Sequence, residues 1–208
     1  MSDGKLTVSV GSSRSGKTAF VIQQVKKDKR VIVWNIKDNE KDLSNYDERN
    51  NFKRVYKKTD LINAIKENPT GDLRICYVPS NLADFEWWAK LAYTWGRAKE
   101  CTIIAEELAD VTTPAKAPPA WGMLVRKILG YGCNVYAITQ RPAESDKTIM
   151  GNASIIHCGR LSRFGDRRYM AQEMDIHVEK LNTLKPLEWV EKHDVHNSGG
   201  EIVGKLKF

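Results

Sequence analysis

Eight residues near the N-terminus, Gly11-Ser12-Ser13-Arg14-Ser15-Gly16-Lys17-Thr18, fit G-x-x-x-x-G-K-[ST] at every fixed position. This motif constrains the chain more than any other feature, because it works only between a strand and a helix. Both flanks comply: Leu6-Thr7-Val8-Ser9-Val10 reads as a strand, and residues 18–25 have helix-forming composition. Small residues let the backbone curl so that its N–H groups face phosphate oxygens. The helix N-terminus adds partial positive charge. In such a loop Lys17 reaches the β- and γ-phosphates and the Thr18 hydroxyl ligates Mg²⁺. The expected ligands are a nucleoside triphosphate and Mg²⁺. The loop alone suits kinases, GTPases and motors equally.

The rest of the chain alternates short β-branched runs with helical stretches, the pattern of an α/β domain with a mainly parallel sheet. Strands are predicted at 6–10, 31–35, 74–78, 102–105, 135–139 and 154–158, and helices at 17–27, 61–67, 82–97, 120–129 and 166–174. The strands are continuously apolar, as strands covered on both faces are. Residues 187–208 read as two short strands joined by a turn at Asn197-Ser198-Gly199-Gly200, a terminal hairpin. The whole chain, 1–208, is expected to form one domain, with a core at about 5–175 and a β extension at about 176–208. The polar segment 38–54 fits no element and reads as an irregular excursion.

The second informative segment is Cys101-Thr102-Ile103-Ile104-Ala105-Glu106-Glu107, an apolar strand ending in two carboxylates. On a strand adjacent to the phosphate loop, both acids would lie beside the γ-phosphate. Glu106 would hold Mg²⁺ through its water shell, and Glu107 would accept a proton from, or orient, the attacking water. A motor or hydrolase needs that second acid; a small-molecule kinase does not. A third strand, residues 134–139, ends in Gln140, whose amide could sense the γ-phosphate and hold the water.

These motifs together resemble the FtsK/HerA superfamily of DNA-pumping ATPases. Glu106-Glu107-Leu108-Ala109-Asp110 is similar to its D-E-x-A-D, with Glu in place of Asp at position 106, and Thr139-Gln140-Arg141-Pro142 matches its T-Q-R-P. Asn152, the apolar run 154–158 and Arg160 follow in the family's order. A core of this size without further domains most resembles the genome-packaging ATPases of tailless, membrane-containing icosahedral viruses. The resemblance implies a P-loop NTPase fold of the RecA/ASCE type and ATP as the nucleotide. It also implies a ring, expected to be a hexamer, at one capsid vertex, pumping double-stranded DNA inward against capsid or membrane vertex proteins. The protein would reside in the virion, and in the host cytoplasm before assembly. Each site in such a ring is completed by an Arg from the neighbouring subunit. Arg126 best matches that trans residue, with Arg97 and Arg160 as alternatives.

Charge agrees with a polyanionic partner: 33 Lys and Arg against 26 Asp and Glu give a net +7. No apolar run approaches the ~20 residues of a membrane-spanning helix, and the N-terminus runs straight into the first strand rather than a signal peptide. Cys76, Cys101, Cys133 and Cys158 are widely spaced, so small core residues in a reducing compartment are expected rather than a disulfide framework. Phe85, Trp88, Ala92 and Trp95 recur at helical spacing and read as a core stripe, with Trp87 off it and available to a neighbour. Lys26, Lys27, Lys29 and Arg30 read as the exposed end of the first helix, and Arg160, Arg163, Arg167 and Arg168 as a basic cluster. His193 and His196 lack the partners of a zinc site. The loop 110–119, with Lys116, is a candidate to meet DNA phosphate in a ring's pore. Competing readings are a nucleotide or small-molecule kinase, another translocase or a toxin-like phage morphogenesis ATPase, and a nucleotide-dependent virion scaffold that does not hydrolyse.

Overall fold

The computed structural model describes residues 3–37, 46–193 and 200–207. Its strands are β1 (Leu6–Val10), β2 (Arg30–Trp34), β3 (Lys53–Val55), β4 (Leu73–Tyr77), β5 (Thr102–Ala105), β6 (Asn134–Thr139), β7 (Ile155–Gly159), β8 (Glu188–His193) and β9 (Glu201–Lys205). They form one sheet in the order β3-β4-β2-β5-β6-β1-β7-β8-β9. Pairing is parallel from β3 to β7 and antiparallel from β7 through β8 to β9. The helices are α1 (Lys17–Gln24), α2 (Lys58–Glu67), α3 (Asp84–Ala98), α4 (Pro119–Lys127), α5 (Lys147–Gly151), α6 (Phe164–Glu173) and α7 (Val178–Asn182).

Apolar runs become central strands here because both faces are covered. Along β2, Ile32 and Trp34 join the larger core with α2, α3 and α4, while Val31 and Val33 join a smaller one with Phe20 and Val21 of α1. The period of two divides neighbouring residues between opposite faces. The β5 strand divides likewise, with Ile103 and Ala105 on one side and Ile104 on the other. The predicted stripe Phe85, Trp88, Ala92 and Trp95 is buried and anchors α3 to the sheet. Trp87, off that stripe, is half-buried: it packs edge-on against Tyr77 and takes the Lys58 ammonium over its ring.

The six predicted strands and the terminal β8–β9 pair are present; the turn expected at Asn197-Ser198-Gly199 lies outside the described residues. Three elements had no sequence signal. Two of the three residues of β3 are charged, and it forms because Val55 supplies a buried side chain at the sheet edge. The five-residue helices α5 and α7 are too short to show a period. The first helix stops at Gln24, short of the predicted Lys27. Arg30 is a correction. It is 6% exposed, not the solvated end of a helix. It opens β2, stacks on the Trp95 ring, and donates to the carbonyls of Lys99, Asn68, Gly71, Pro69 and Trp95. All four cysteines are buried, and Cys101 and Cys133, each just before one of two paired strands, have Sγ atoms 3.9 Å apart.

His157 on β7 ties α1 to the terminal hairpin. Its ring stacks on Phe20 at 3.6 Å between centroids, and Nδ1 lies 2.9 Å from Glu191 Oε2 on β8. The other Glu191 oxygen bonds His193, so that histidine has a structural partner. Burial pushes His157 below its ordinary value of 6.5, with the Glu191 bond opposing. A base whose folded value is depressed is protonated in the unfolded chain first. Stability therefore falls as pH drops below 6.5. The loss of urea-unfolding free energy between pH 7.5 and 5.5 is expected to be larger in wild type than in His157→Gln. An equal loss in both would place the acid sensitivity elsewhere.

Candidate nucleotide-binding site

The phosphate loop leaves β1 and enters α1 with Arg14 at φ 60° and Gly16 at φ 97°. A side chain at Gly16 would be strained by that φ and crowded as well, since a Cβ would lie 3.1 Å from Leu206 Cδ2 and 3.3 Å from Leu187 Cδ2. The loop is held from the β7 side: Ser12 donates from N and from Oγ to the Arg160 carbonyl, each at 2.9 Å. Lys17 is 5% exposed and its Nζ closes the loop by donating to the Ser12 carbonyl at 3.0 Å. Burial lowers the Lys17 ammonium to about 8, with the nearby Glu106 opposing that shift. Ser13 and Arg14 at the apex are exposed, while the Ser15 hydroxyl is buried inside the curl without a hydrogen bond.

The sheet order corrects one expectation. The β5 strand that carries the acids is not adjacent to β1, because β6 runs between them. Gln140 at the β6 tip therefore lies between the tips of β1 and β5, although Thr18 of the loop still reaches Glu106 directly. Its backbone N–H donates to Glu107 Oε1 at 2.9 Å and its Nε2 to Oε2 at 2.7 Å, so both Glu107 oxygens are oriented by one residue. Glu107 itself sits at φ 53°, ψ 60° and starts a 3-10 turn over Leu108–Asp110. A left-handed conformation in a non-glycine residue costs of order 1–3 kcal/mol, a cost typical of functional positions.

Glu106 is fully buried and continues β5 through its N–H to the Trp34 carbonyl. Its Oε1 accepts from Thr18 Oγ1 at 2.9 Å and from Tyr46 OH at 3.1 Å. Its Oε2 has no hydrogen bond, and Lys37 Nζ stands 4.0 Å away. Burial raises the Glu106 carboxyl, and Lys37, Thr18, Lys17 and Tyr46 oppose the rise. A buried carboxylate oxygen lacking a donor, beside a threonine hydroxyl, fits Mg²⁺, which takes one or two protein oxygens and completes its shell with phosphate and water. Lys37 and Tyr46 were not identified from sequence. The signal for Lys37 was its place just past the tip of β2, where the buried Asn35 side chain bonds both its N–H and its carbonyl. Tyr46 lies in a polar segment with no pattern.

Arg126 lies apart from this constellation. It is exposed on the last turn of α4 and lines a separate cavity of about 280 Å³ with Lys116 and Lys147. Arg97 is also exposed, with its guanidinium over Tyr93 and Tyr131. Arg160 contributes its carbonyl to the loop. Elsewhere in the basic cluster, Arg163 pairs with Glu144, and Arg167 is held by Asn182 and the carbonyls of Leu161 and Ser162. The loop 110–119 is anchored at its start, where Thr112 Oγ1 donates to Leu108 O and accepts from Asp146 N, and residues 113–116 are exposed.

No family model matches the chain. It is 33% identical over 179 residues to Protein P9 of Pseudoalteromonas phage PM2, covering 85% of this chain and 78% of that protein. The chain belongs to the P9 family. Among solved structures, this P9-family protein is similar to the genome packaging NTPase B204 from Sulfolobus turreted icosahedral virus 2 in complex with ATP-gammaS, at a TM-score of 0.78 and 16% identity over 98% of each chain. It is less similar to the N-terminal domain of zonular occludens toxin from Neisseria meningitidis, at 0.51 and 14% over 99% of this chain and 96% of that one. The P9-family chain thus has the P-loop NTPase fold of the packaging ATPases that its motif order resembles.

Gly16 is the most exacting backbone position of the loop. Gly16→Ala should lower the free energy of unfolding by about 1–3 kcal/mol, from the left-handed φ and the contact with Leu206. Chemical denaturation monitored by tryptophan fluorescence measures this; an unchanged midpoint would mean that the loop relaxes without cost.

Proposed function

We propose that this P9-family protein is the ATP-hydrolysing motor that drives double-stranded DNA into a preformed viral capsid. The observation that carries the reading is the pair of differently held carboxylates beside the phosphate loop. Glu106 is fully buried against Thr18 with one oxygen free, and Glu107 is gripped through both oxygens by Gln140. A kinase would need an acceptor other than water; a second oriented acid suits hydrolysis. The packaging reading is favoured over a toxin-like ATPase by the higher structural similarity to B204.

The chemistry follows from the positions. The loop N–H groups and Lys17 hold the β- and γ-phosphates and offset their charge. Thr18 and Glu106 would hold Mg²⁺, which when bound neutralises charge on the transferring phosphoryl group. Glu107 accepts the proton of the attacking water, and Gln140 fixes the direction of that carboxylate. ATP in place of another nucleotide, DNA as cargo, a ring at the capsid vertex and residence in the virion all belong to this proposal. Among the described residues no helix is long and apolar enough to cross a membrane; attachment at the vertex through capsid or membrane proteins is a further part of the proposal. The exposed turn 113–116, with Lys116, would face DNA in the pore.

Glu107→Gln keeps shape but loses the base. It should bind ATP as wild type does and hydrolyse it roughly ten- to a thousand-fold more slowly, within general-base factors of ~10²–10⁴. Particles assembled with it should contain no DNA. Normal turnover would move the base elsewhere; slow turnover with full particles would reject the motor and favour a scaffold.

Arg126 is assigned the trans role. Arg126→Ala should bind ATP normally yet hydrolyse it slowly, because an Arg supplied across a boundary contributes ~10³–10⁵ in rate and little to ground-state affinity. Co-assembly with Lys17→Ala subunits creates interfaces with one intact loop and one intact Arg126, so activity should return in the mixture. Absence of rescue in demonstrably mixed assemblies would move the role to Arg97 or Arg160.

A further inference from the structure

Two of the cysteines are more than small core residues. Cys101 and Cys133 stand just before β5 and β6, whose parallel register pairs Thr102 with Asn134. The Asn134 N–H donates to the Cys101 carbonyl at 3.1 Å, so the pairing reaches back to the cysteines. Neighbouring strands lie about 4.8 Å apart, within the roughly 4.4–6.8 Å that separates Cα atoms across a disulfide. The side chains already meet, with Sγ atoms 3.9 Å apart. Gly96 of α3 leaves the space they share: a Cβ there would lie 3.0 Å from Cys133 Sγ and 3.3 Å from Cys101 Sγ. Joining the sulfurs asks for side-chain rotation, not for movement of the sheet.

The surroundings also favour reaction. The Cys101 N–H donates to Cys133 Sγ at 3.4 Å. The bond from the Cys101 thiol, joined by that N–H, holds the Cys133 thiol below its ordinary value although burial opposes it. The same bond and burial keep Cys101 protonated. The thiolate is the reactive form of cysteine, so the pair divides into a nucleophile and a proton donor. Cys158 is the contrast: burial alone pushes its thiol far up. A cavity of about 430 Å³ at the N-terminal end of the parallel strands is lined by Cys101 and by Gly132 and Asn134, the two chain neighbours of Cys133. A molecule as small as a peroxide can enter beside the sulfurs.

We propose that Cys101 and Cys133 are a modification site, a thiol pair that hydrogen peroxide converts to a reversible disulfide between the starts of β5 and β6. The Cys133 thiolate attacks one peroxide oxygen. The O–O bond breaks, hydroxide leaves and takes up a proton as water, and Cys133 becomes a sulfenic acid. The Cys101 sulfur then attacks Cys133 Sγ; the S–O bond breaks, and its hydroxyl leaves with the Cys101 proton as a second water. The pair loses two electrons in all, and peroxide is reduced to water. A dithiol reverses the bond by exchange. The disulfide closes residues 101–133 into one ring that carries Glu106, Glu107, the loop 110–119 and Arg126. The phosphate loop lies outside the ring, so the site stands whether or not that loop binds ATP.

The test exposes the folded chain to hydrogen peroxide, at a dose that oxidises the urea-unfolded chain, and maps the products by non-reducing peptide mass spectrometry. The expected product is a single crosslink, Cys101 to Cys133. Thiols titrated in urea should fall from four to two and return to four after dithiothreitol. Dimedone, which traps sulfenic acids, should label Cys133 in Cys101→Ser, where no second sulfur resolves it. Cys158→Ser should crosslink as wild type does. Four intact thiols in the folded chain, a crosslink through Cys76 or Cys158, or a 101–133 bond that forms only after unfolding would each overturn the site. The wild-type map decides even where a serine variant does not fold.

Discussion

A carboxylate taken wholly out of water must be compensated by hydrogen bonds or opposite charge, and the centre of this molecule is arranged to meet that demand at Glu106. Thr18 reaches it from α1, Tyr46 from the segment before β3, and Lys37 from the tip of β2. These contacts link the phosphate loop, the sheet and an outer segment through one side chain. They also leave one oxygen without a donor, so compensation is incomplete until something positive arrives. The longer Glu, where the resembled family has Asp, extends the carboxylate far enough to meet Thr18 directly.

The interposed β6 strand explains why two adjacent acids have different surroundings. With Gln140 between, Glu107 is drawn toward a neutral amide and Glu106 toward the cationic side. Different surroundings for neighbouring carboxylates allow them different roles. The left-handed backbone at Glu107 ends the extended run of β5 and opens the 3-10 turn over Leu108–Asp110.

Much of this was legible in the sequence, for identifiable reasons. A phosphate loop is a contiguous motif, and strands buried on both faces are continuous apolar runs, so both appear in a linear reading. The carboxylates and Gln140 appear because they terminate such runs. The neighbour of β1 could not be read, since strand order is a property of crossovers. Hence the acids were expected one strand closer than they are. Arg30 was misread because a lysine-rich stretch hides the one cation whose five carbonyl acceptors come from 38 to 69 residues further along the chain. Lys37 and Tyr46 depend on the same long-range assembly.

The two ends of the sheet use cations in opposite ways. At the N-terminal end of the parallel strands, Arg30 spends every donor on backbone carbonyls and is locked under Trp95. At the C-terminal end, Lys17 keeps a single internal bond to the Ser12 carbonyl, and Lys37 stands at 4.0 Å from its acid. An ammonium is a compact donor that can leave one acceptor for another, whereas a guanidinium with all donors satisfied is a fixture. The structure places its rigid cation where only packing is needed and its movable cations where phosphate would enter. A helix N-terminus and two lysines with few bonds among the described residues lie on one side of a buried carboxylate, an arrangement that suits an anionic ligand.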